Sequence, residues 1–281
     1  MCETCGCNIT PGNRHLVEPG GKHAHTRDGH AAVDVLQNLL HENDHQAAHN
    51  RTHFDRAGVL AVNLMSSPGS GKTALLEATI DALGGDLGIA VVEGDLETEN
   101  DANRIRAKGV PAVQISTGSA CHLDAHMVHD ALHAMDLAGI DIVFIENVGN
   151  LVCPASFDLG HHVNVTLLSV TEGDDKPAKY PVMFRAADLM LLSKSDLLAV
   201  LDDFRPQSAE TALRNLANEA PVITLSARNG AGMDAWLAWL NGVLISHRAR
   251  LRDGQTTQPA ILTDGVHPHR HGAPVAEAAP Q

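Results

Sequence analysis

The chain contains no apolar run that approaches the roughly 18 residues of a membrane-spanning helix, and no apolar stretch follows its first residues. We therefore expect a cytoplasmic protein without a signal peptide, whose cysteines stay reduced. Basic residues are also scarce, with 20 Lys and Arg against 34 Asp and Glu and a formal net charge of -14. This charge argues against nucleic acid and anionic membrane surfaces as partners and favours cations.

Cysteine is rare as well, yet three of the five cysteines stand in the first seven residues, at Cys2, Cys5 and Cys7. Three closely spaced thiolates are typical of a soft metal site. The α-amino nitrogen is the nearest fourth ligand, and such a set accepts Zn(II) in a tetrahedron or Ni(II) in a plane. The alternative is a terminal tail whose cysteines bind no metal.

Histidine, in contrast, is abundant, with 18 residues that divide the chain. Residues 8–56 hold eight of them and few large apolar residues, which predicts a flexible arm. Residues 247–281 are predicted to be a second flexible tail. Within the arm, a helix would place four histidines at successive i, i+4 steps, so that they store nickel or simply face solvent. These four are His41, His45, His49 and His53.

Residues 57–246 show a different pattern, in which short β-branched apolar runs alternate with segments of helical character. This pattern predicts one α/β domain with a mostly parallel sheet covered by helices on both faces. Ligands of such sheets bind beyond the carboxyl ends of the strands. The runs are 59–65, 89–92, 110–115, 142–145, 163–170, 189–192 and 222–225.

The first run leads into Ser66-Ser67-Pro68-Gly69-Ser70-Gly71-Lys72-Thr73, which has the spacing of a P-loop. Its glycines let backbone N–H groups face phosphates, Lys72 reaches the β- and γ-phosphates, and the Thr73 hydroxyl ligates Mg²⁺. Ser66 stands where the first glycine is usual. The alternative is a glycine-rich loop without nucleotide. The predicted phosphate-binding residues are Gly69, Ser70, Gly71, Lys72 and Thr73.

Two later segments indicate which base is bound. Ser193-Lys194-Ser195-Asp196 is close to the guanine-reading N-K-x-D pattern, and Asp196 can accept two hydrogen bonds from guanine that adenine does not offer. Ser226-Ala227-Arg228 is similar to the loop whose alanine N–H meets the guanine carbonyl. GTP is therefore favoured over ATP, with Lys194, Asp196, Ser226 and Ala227 as base-site residues.

The remaining cysteines follow the third and fourth predicted strands, at Cys121 and Cys153, and His122 adjoins the first of them. Both positions belong to the edge of the sheet that carries the phosphate loop, so these thiolates are predicted to lie near the γ-phosphate. Buried structural cysteines are the alternative. On the following helix, a stripe of three histidines is expected to face solvent or a partner. They are His126, His129 and His133.

Together, these motifs resemble one known family. The terminal C-x-x-C-G-C, the histidine-rich arm, S-S-P-G-S-G-K-T and residues 117–125, 146–154 and 171–177 are similar to the HypB family of hydrogenase nickel-incorporation GTPases, which are P-loop GTPases of the SIMIBI class. The resemblance covers residues 59–243 and the extreme amino terminus. Its Cys-His and Val-Cys-Pro segments are more specific than its phosphate loop.

The resemblance implies two metal sites. Cys2, Cys5 and Cys7 would bind nickel tightly, and Cys121, His122 and Cys153 would form a labile nickel or zinc site where GTP or metal promotes a homodimer.

It also implies the parts of a GTPase centre. Lys72 and Asp95 would assist catalysis, and Thr73, Asp95 and Glu146 would contact Mg²⁺.

The activity that follows is slow GTP hydrolysis to GDP and phosphate, on the order of 10⁻⁴ to 10⁻² per second without a partner. Hydrolysis would let nickel pass, through partner maturation proteins, to the hydrogenase large-subunit precursor. Two alternatives stay open: a urease-accessory type of nickel GTPase, and a protein that chiefly stores or buffers nickel.

Overall fold

The computed structural model describes residues 30–83, 85–95, 99–118 and 120–255, with side chains described from residue 39 onward. The predicted Cys2, Cys5 and Cys7 site and the tail beyond residue 255 lie outside the described residues.

Seven parallel strands form one sheet in the order β3-β2-β4-β1-β5-β6-β7, which confirms the predicted fold class. The central strands are buried almost throughout, as expected for apolar runs covered on both faces. The strands are β1 Leu60–Ser66, β2 Ile89–Asp95, β3 Ala112–Ser116, β4 Ile142–Glu146, β5 Val163–Ser169, β6 Leu189–Ser193 and β7 Val222–Thr224.

Helices cover both faces of this sheet. One face buries Leu60, Val62 and Leu64 against α2 (Lys72–Leu83) and α8 (Met233–Arg252), and the other buries Val59 and Ala61 against α1 (His30–Ala57) and α4 (Ala125–His133). The helices are α1 His30–Ala57, α2 Lys72–Leu83, α3 Asn100–Arg106, α4 Ala125–His133, α5 Lys176–Lys179, α6 Pro181–Arg185, α7 Pro206–Arg214 and α8 Met233–Arg252; two short 3₁₀ helices span Pro154–Ser156 and Ser195–Leu197.

Helix α1 differs from the predicted flexible arm, because residues 30–57 form a helix packed on the domain. Leu39, Ala47 and Phe54 are buried at helical spacing. Between them, Asn50 donates hydrogen bonds to two backbone carbonyls, and Arg51 forms a buried ion pair with Asp158. For residues 30–56 the prediction of a flexible arm is wrong, because polar side chains, which the sequence pattern counted as surface, anchor the helix; residues 8–29 of the predicted arm lie outside the described residues.

Helix α8 also corrects a boundary, because it continues through residue 252 instead of giving way to a tail at residue 247. His247 is fully buried, and its Nε2 lies 3.1 Å from the carbonyl oxygen of Val59. Across the described ranges, no helix combines the length and the apolar character needed to span a bilayer.

Candidate functional site

The phosphate loop connects β1 to α2 at the carboxyl edge of the sheet. Gly69 and Gly71 adopt positive φ values of 74° and 95°, which glycine reaches without steric cost. Lys72 and Thr73 begin α2 and are buried. The Lys72 ammonium lies 3.1 Å from the Ser66 hydroxyl oxygen, so the residue that replaces the usual first glycine contacts the lysine of the phosphate loop.

Glu146, at the end of β4, approaches this loop directly. The Thr73 hydroxyl donates a 2.9 Å hydrogen bond to Glu146 Oε1, and Lys72 Nζ lies 4.0 Å from the same carboxylate. Two residues that were predicted to contact Mg²⁺, Thr73 and Glu146, are therefore hydrogen-bonded to each other, and their role at Mg²⁺ stays a prediction. Asp95 ends β2, where its carbonyl oxygen accepts a hydrogen bond from the Thr117 amide; its catalytic role stays a prediction.

Two acidic residues of this group, Glu93 and Asp101, were not predicted from the sequence. Glu93, Asp101 and Glu146 each offer a carboxylate oxygen within 4.8 Å of the others. One buried oxygen of Glu93 and one of Glu146 lack a hydrogen-bond partner among the described residues. Burial, together with Glu146, raises the pKa of Glu93 to about 11, so Glu93 is protonated at neutral pH. A glutamate inside an apolar strand was the available signal.

Hard cations take carboxylate and hydroxyl oxygens as ligands, so the unpartnered oxygens of Glu93 and Glu146 beside the Thr73 hydroxyl fit Mg²⁺. Binding of a divalent cation would displace the proton of Glu93.

The segments predicted to read guanine lie against the phosphate loop. Lys194 Nζ donates a 2.6 Å hydrogen bond to the Gly69 carbonyl, and the Ser193 hydroxyl donates a 2.7 Å bond to the Ser70 carbonyl. The Ser226 hydroxyl donates a 2.6 Å bond to Asp196, so the two base-site segments meet. The structure thus brings together the predicted residues of both motifs.

Glu172 is a further contact that the sequence reasoning left without a role. Its carboxylate accepts a 2.6 Å hydrogen bond from the Ser70 hydroxyl and a 3.1 Å bond from the Ser169 amide. The segment after β5 therefore contacts the phosphate loop from one neighbour of β1, whereas Glu146 contacts it from β4, the neighbour on the other side of β1.

Cys121, His122 and Cys153 converge at the same edge. The two sulfur atoms lie 3.1 Å apart, and all three residues offer ligand atoms within 4.8 Å of one another. His122 is fully buried, stacks on Phe157 at 4.0 Å, and has an unpartnered Nε2 among the described residues. Burial lowers the pKa of His122 to about 4, which leaves the imidazole neutral at physiological pH. Two thiols and a neutral imidazole fit nickel or zinc.

A short segment connects this cluster to the phosphate loop. The Asn150 amide donates a 2.8 Å hydrogen bond to the Ser66 carbonyl, and the Asn150 side chain donates a 3.3 Å bond to the Cys121 carbonyl. Gly149 packs against Pro68 so closely that an added Cβ would lie 2.7 Å from Pro68 Cα. The sequence between Glu146 and Cys153 therefore touches both sites.

The histidine stripes do not simply face solvent. His129 is half-buried, and its Nδ1 lies 3.1 Å from Asn50 Oδ1 on α1. His49 and His53 stand beside it, whereas His41 and His45 are exposed further along α1. The expected outward face of α4 is thus partly covered by α1, a contact that the sequence pattern did not reveal.

The match to protein families agrees with this geometry. Residues 60–224 match the model described as CobW/HypB/UreG, nucleotide-binding domain. Among curated proteins, the hydrogenase maturation factor HypB of Azotobacter vinelandii is 53% identical over 229 residues, which cover 81% of this chain and 75% of that protein. This chain belongs to the HypB family.

Other family members show the same extent of similarity. The hydrogenase maturation factor HypB of Escherichia coli strain K12 is 50% identical over 220 residues, covering 78% of this chain and 76% of that protein. A crystal structure of HypB from Helicobacter pylori in complex with nickel superposes with a TM-score of 0.70 at 41% identity. The superposed region covers 77% of this chain and 98% of the Helicobacter pylori chain. The predicted family and P-loop fold are confirmed.

Proposed function

We propose that this chain is a GTP hydrolase that uses GTP turnover to deliver nickel into a hydrogenase precursor. The observation that supports this function most directly is the pair of hydrogen bonds made by Asn150, one to the phosphate loop at Ser66 and one to the cysteine cluster at Cys121. A shift of the phosphate loop is transmitted through this residue to the cluster. The two sites therefore share one hydrogen-bonded residue, through which the proposed coupling between them would act.

The hydrolytic half of the function rests on groups around the phosphate loop. Backbone amides of the loop bind the phosphates, and Lys72 stabilises negative charge that develops on the transferred phosphoryl group. When bound, Mg²⁺ neutralises the β- and γ-phosphate oxygens. Thr73 and Glu146 would hold it, with Glu93 beside them. Asp95 is proposed to orient the attacking water, and Asp196 to select guanine.

The delivery half rests on Cys121, His122 and Cys153. Both cysteines are half-exposed, so a nickel ion bound by them is reachable by an acceptor. His122, buried beneath them, supplies a neutral imidazole whose stacking on Phe157 fixes its orientation. We propose that GTP or metal promotes a homodimer through this surface, and that zinc competes for the same ligands.

Two steps of the proposed nickel route involve groups other than Cys121, His122 and Cys153. Cys2, Cys5 and Cys7 are proposed to capture nickel with high affinity before it reaches the inner cluster. Maturation partner proteins are proposed to receive it. The Helicobacter pylori relative is named a hydrogenase/urease maturation factor, so acceptor precursors of both enzymes belong in a delivery assay.

The coupling is tested by the nickel affinity of the chain in GDP and in a non-hydrolysable GTP analogue. A coupling free energy of about 1–3 kcal/mol predicts a difference of roughly 5- to 150-fold between the two states. To isolate the inner cluster, the measurement uses a Cys2, Cys5 and Cys7 to Ala background. Equal affinities in both nucleotides would contradict the proposal.

Asn150→Ala sharpens the test, because it removes the side-chain bonds to the Cys121 carbonyl and the Val152 amide but keeps the backbone bond to Ser66. We expect the nucleotide-dependent difference in nickel affinity to shrink while GDP affinity stays close to that of the parent. Asp136→Ala is the matched control, because it removes a similar turn hydrogen bond, to the Ala138 amide, at an exposed site beyond the C-terminal end of α4. An unchanged difference in Asn150→Ala would exclude this residue as the link.

A further inference from the structure

Two pairs of histidines face each other where α1 crosses α4. His49 and His53 stand one turn apart on α1, with ring centroids 4.6 Å apart, and His129 and His133 stand one turn apart on α4, at 4.4 Å. Across the interface, the His129 ring lies 5.1 Å from His49 and 5.9 Å from His53. The four imidazoles thus form one continuous cluster made from two helices.

The ring nitrogens are close enough to share one ion. Ligand nitrogens of His49, His53 and His129 all lie within 4.8 Å of one another. The Nε2 atoms of His129 and His133 are 3.0 Å apart. Metal–nitrogen bonds of about 2.0–2.1 Å place neighbouring ligand nitrogens roughly 3 Å apart. Small side-chain rotations therefore convert this arrangement into a coordination shell.

A second layer of hydrogen bonds fixes the central ligand. Asn50 Nδ2 donates to the carbonyls of Ala125 and Leu159, at 2.7 and 3.2 Å, so Asn50 Oδ1 faces His129. The His129 Nδ1–H accordingly donates to that oxygen at 3.1 Å, and Nε2 is left with its lone pair directed at the cluster. Histidine ligands of metal sites commonly have their second nitrogen held in this way.

The surroundings also suit a cation. Burial and the neighbouring imidazoles lower the pKa of His53 and of His129, so the neutral, metal-binding forms dominate at neutral pH. A surface cleft of about 230 Å³ beside the cluster, lined in part by Met135 and Leu137, gives an ion access. The negative net charge of the chain favours its approach.

We propose that His49, His53 and His129 bind one divalent nickel or zinc ion between α1 and α4, with His133 as a fourth ligand. Imidazole ligands suit both ions, and no thiolate takes part, which distinguishes this site from the cysteine clusters. Because α4 begins three residues after His122, the ion joins the histidine-bearing helix to the element that carries the inner metal cluster. The site needs both helices, unlike storage by the α1 histidines alone.

The test is a metal titration of the full chain with all cysteines replaced, run separately with NiCl₂ and ZnCl₂ and followed by calorimetry. We expect one ion per chain to bind at this site, and His129→Gln to weaken its affinity at least tenfold. In the native chain, the same substitution should lower the metal count by one. The replaced cysteines are Cys2, Cys5, Cys7, Cys121 and Cys153.

Matched variants separate this site from storage along one helix. His41→Gln/His45→Gln removes two exposed α1 histidines that lie outside the cluster, and we expect it to retain the affinity of the parent for this ion. His49→Gln/His53→Gln should lose it. Equal losses from the two double variants, or an unchanged affinity in His129→Gln, would overturn the proposal.

Two further outcomes are decisive. If His129→Gln loses its helical circular dichroism, the exposed His49 is substituted alone, and an unaltered metal affinity in that variant refutes the site. Failure of both NiCl₂ and ZnCl₂ to bind the cysteine-free chain refutes it as well.

Discussion

The hydroxyl of Thr73 donates a hydrogen bond of 2.9 Å to Oε1 of Glu146. This contact joins the first turn of α2 to the end of β4, and the chain continues from Glu146 through Gly149 and Asn150 to Cys153. Glu146 is itself beside the protonated Glu93. The segment that follows Glu146 therefore leads from the phosphate loop to the cluster of Cys121, His122 and Cys153.

The Glu93 proton gives a prediction about pH. The folded chain holds this proton more tightly than the unfolded chain, because the pKa rises from 4.5 to about 11. Its contribution to stability is thus complete below pH 4.5 and is lost progressively as the pH rises towards 11. We expect Glu93→Gln, which stays neutral, to raise the free energy of unfolding at pH 8 by on the order of 1–3 kcal/mol.

Urea denaturation of the nucleotide-free protein at pH 5.5 and pH 8.5 measures this effect. The gain from Glu93→Gln should be larger at the higher pH. Glu210→Gln, on the exposed surface of α7, serves as the control and should show no such trend. A gain that is equal at both pH values would contradict the assigned protonation.

Arg51→Ala should release α1 from the domain. Burial alone would raise the pKa of Asp158. The Arg51 guanidinium, which donates two 2.8 Å hydrogen bonds to the carboxylate, holds this pKa below its usual range. Removing the cation leaves a buried, unpaired charge, so we expect a loss of about 3–5 kcal/mol in the free energy of unfolding. Arg56→Ala, at an exposed position of the same helix, should stay within about 0.5 kcal/mol of the parent. Guanidinium denaturation of both variants decides, and similar stabilities would show that the ion pair does not anchor α1.

Gly149→Ala should disturb the conformation of the phosphate loop. The new Cβ would lie 2.7 Å from Pro68 Cα and 2.9 Å from Pro68 N, which are backbone atoms that cannot rotate away. We expect a stability loss of about 1–3 kcal/mol from overpacking and at least a tenfold loss of GDP affinity by calorimetry. Gly242→Ala, a helical position with no atom within 4 Å of the new Cβ, should instead stabilise α8 by roughly 0.5–1 kcal/mol. Unchanged GDP affinity in Gly149→Ala would refute the contact as a control of the loop.

Asp196→Asn tests the guanine assignment. The carboxylate accepts two hydrogen bonds from guanine, whereas an amide accepts one and presents a donor that opposes the guanine amino group. Charge-assisted bonds of about 1.5–3 kcal/mol predict a roughly 10- to 150-fold loss of GTP affinity. The affinity for xanthosine triphosphate, which carries a carbonyl in place of the guanine amino group, should fall less than the affinity for GTP. Asp203→Asn, at an exposed position in the loop that follows, should bind GTP like the parent; equal GTP affinities for the two variants would rule out base reading by Asp196.

Much of the fold followed from local pattern. The β-branched runs marked all seven strands, and the glycine spacing between Ser66 and Thr73 marked the phosphate loop, because each depends on neighbours in sequence. The convergence of Cys121 with Cys153 was also accessible, since parallel strands end at one edge of the sheet. No role was predicted for Glu93 or Glu172, because the contacts of each are with residues far along the chain.

The sequence by itself determined the alternation of strands and helices after residue 57, the phosphate loop, the segments predicted to read the base and the residue types available for metal. Only the tertiary structure decided that α1 packs on α4 and that His49 meets His129, 80 positions later. The physical reason is that periodicity fixes which residues share a face of one helix, whereas contacts such as Asn50 with the Ala125 and Leu159 carbonyls fix how two helices meet. Those contacts satisfy polar groups that become buried only once the chain has folded.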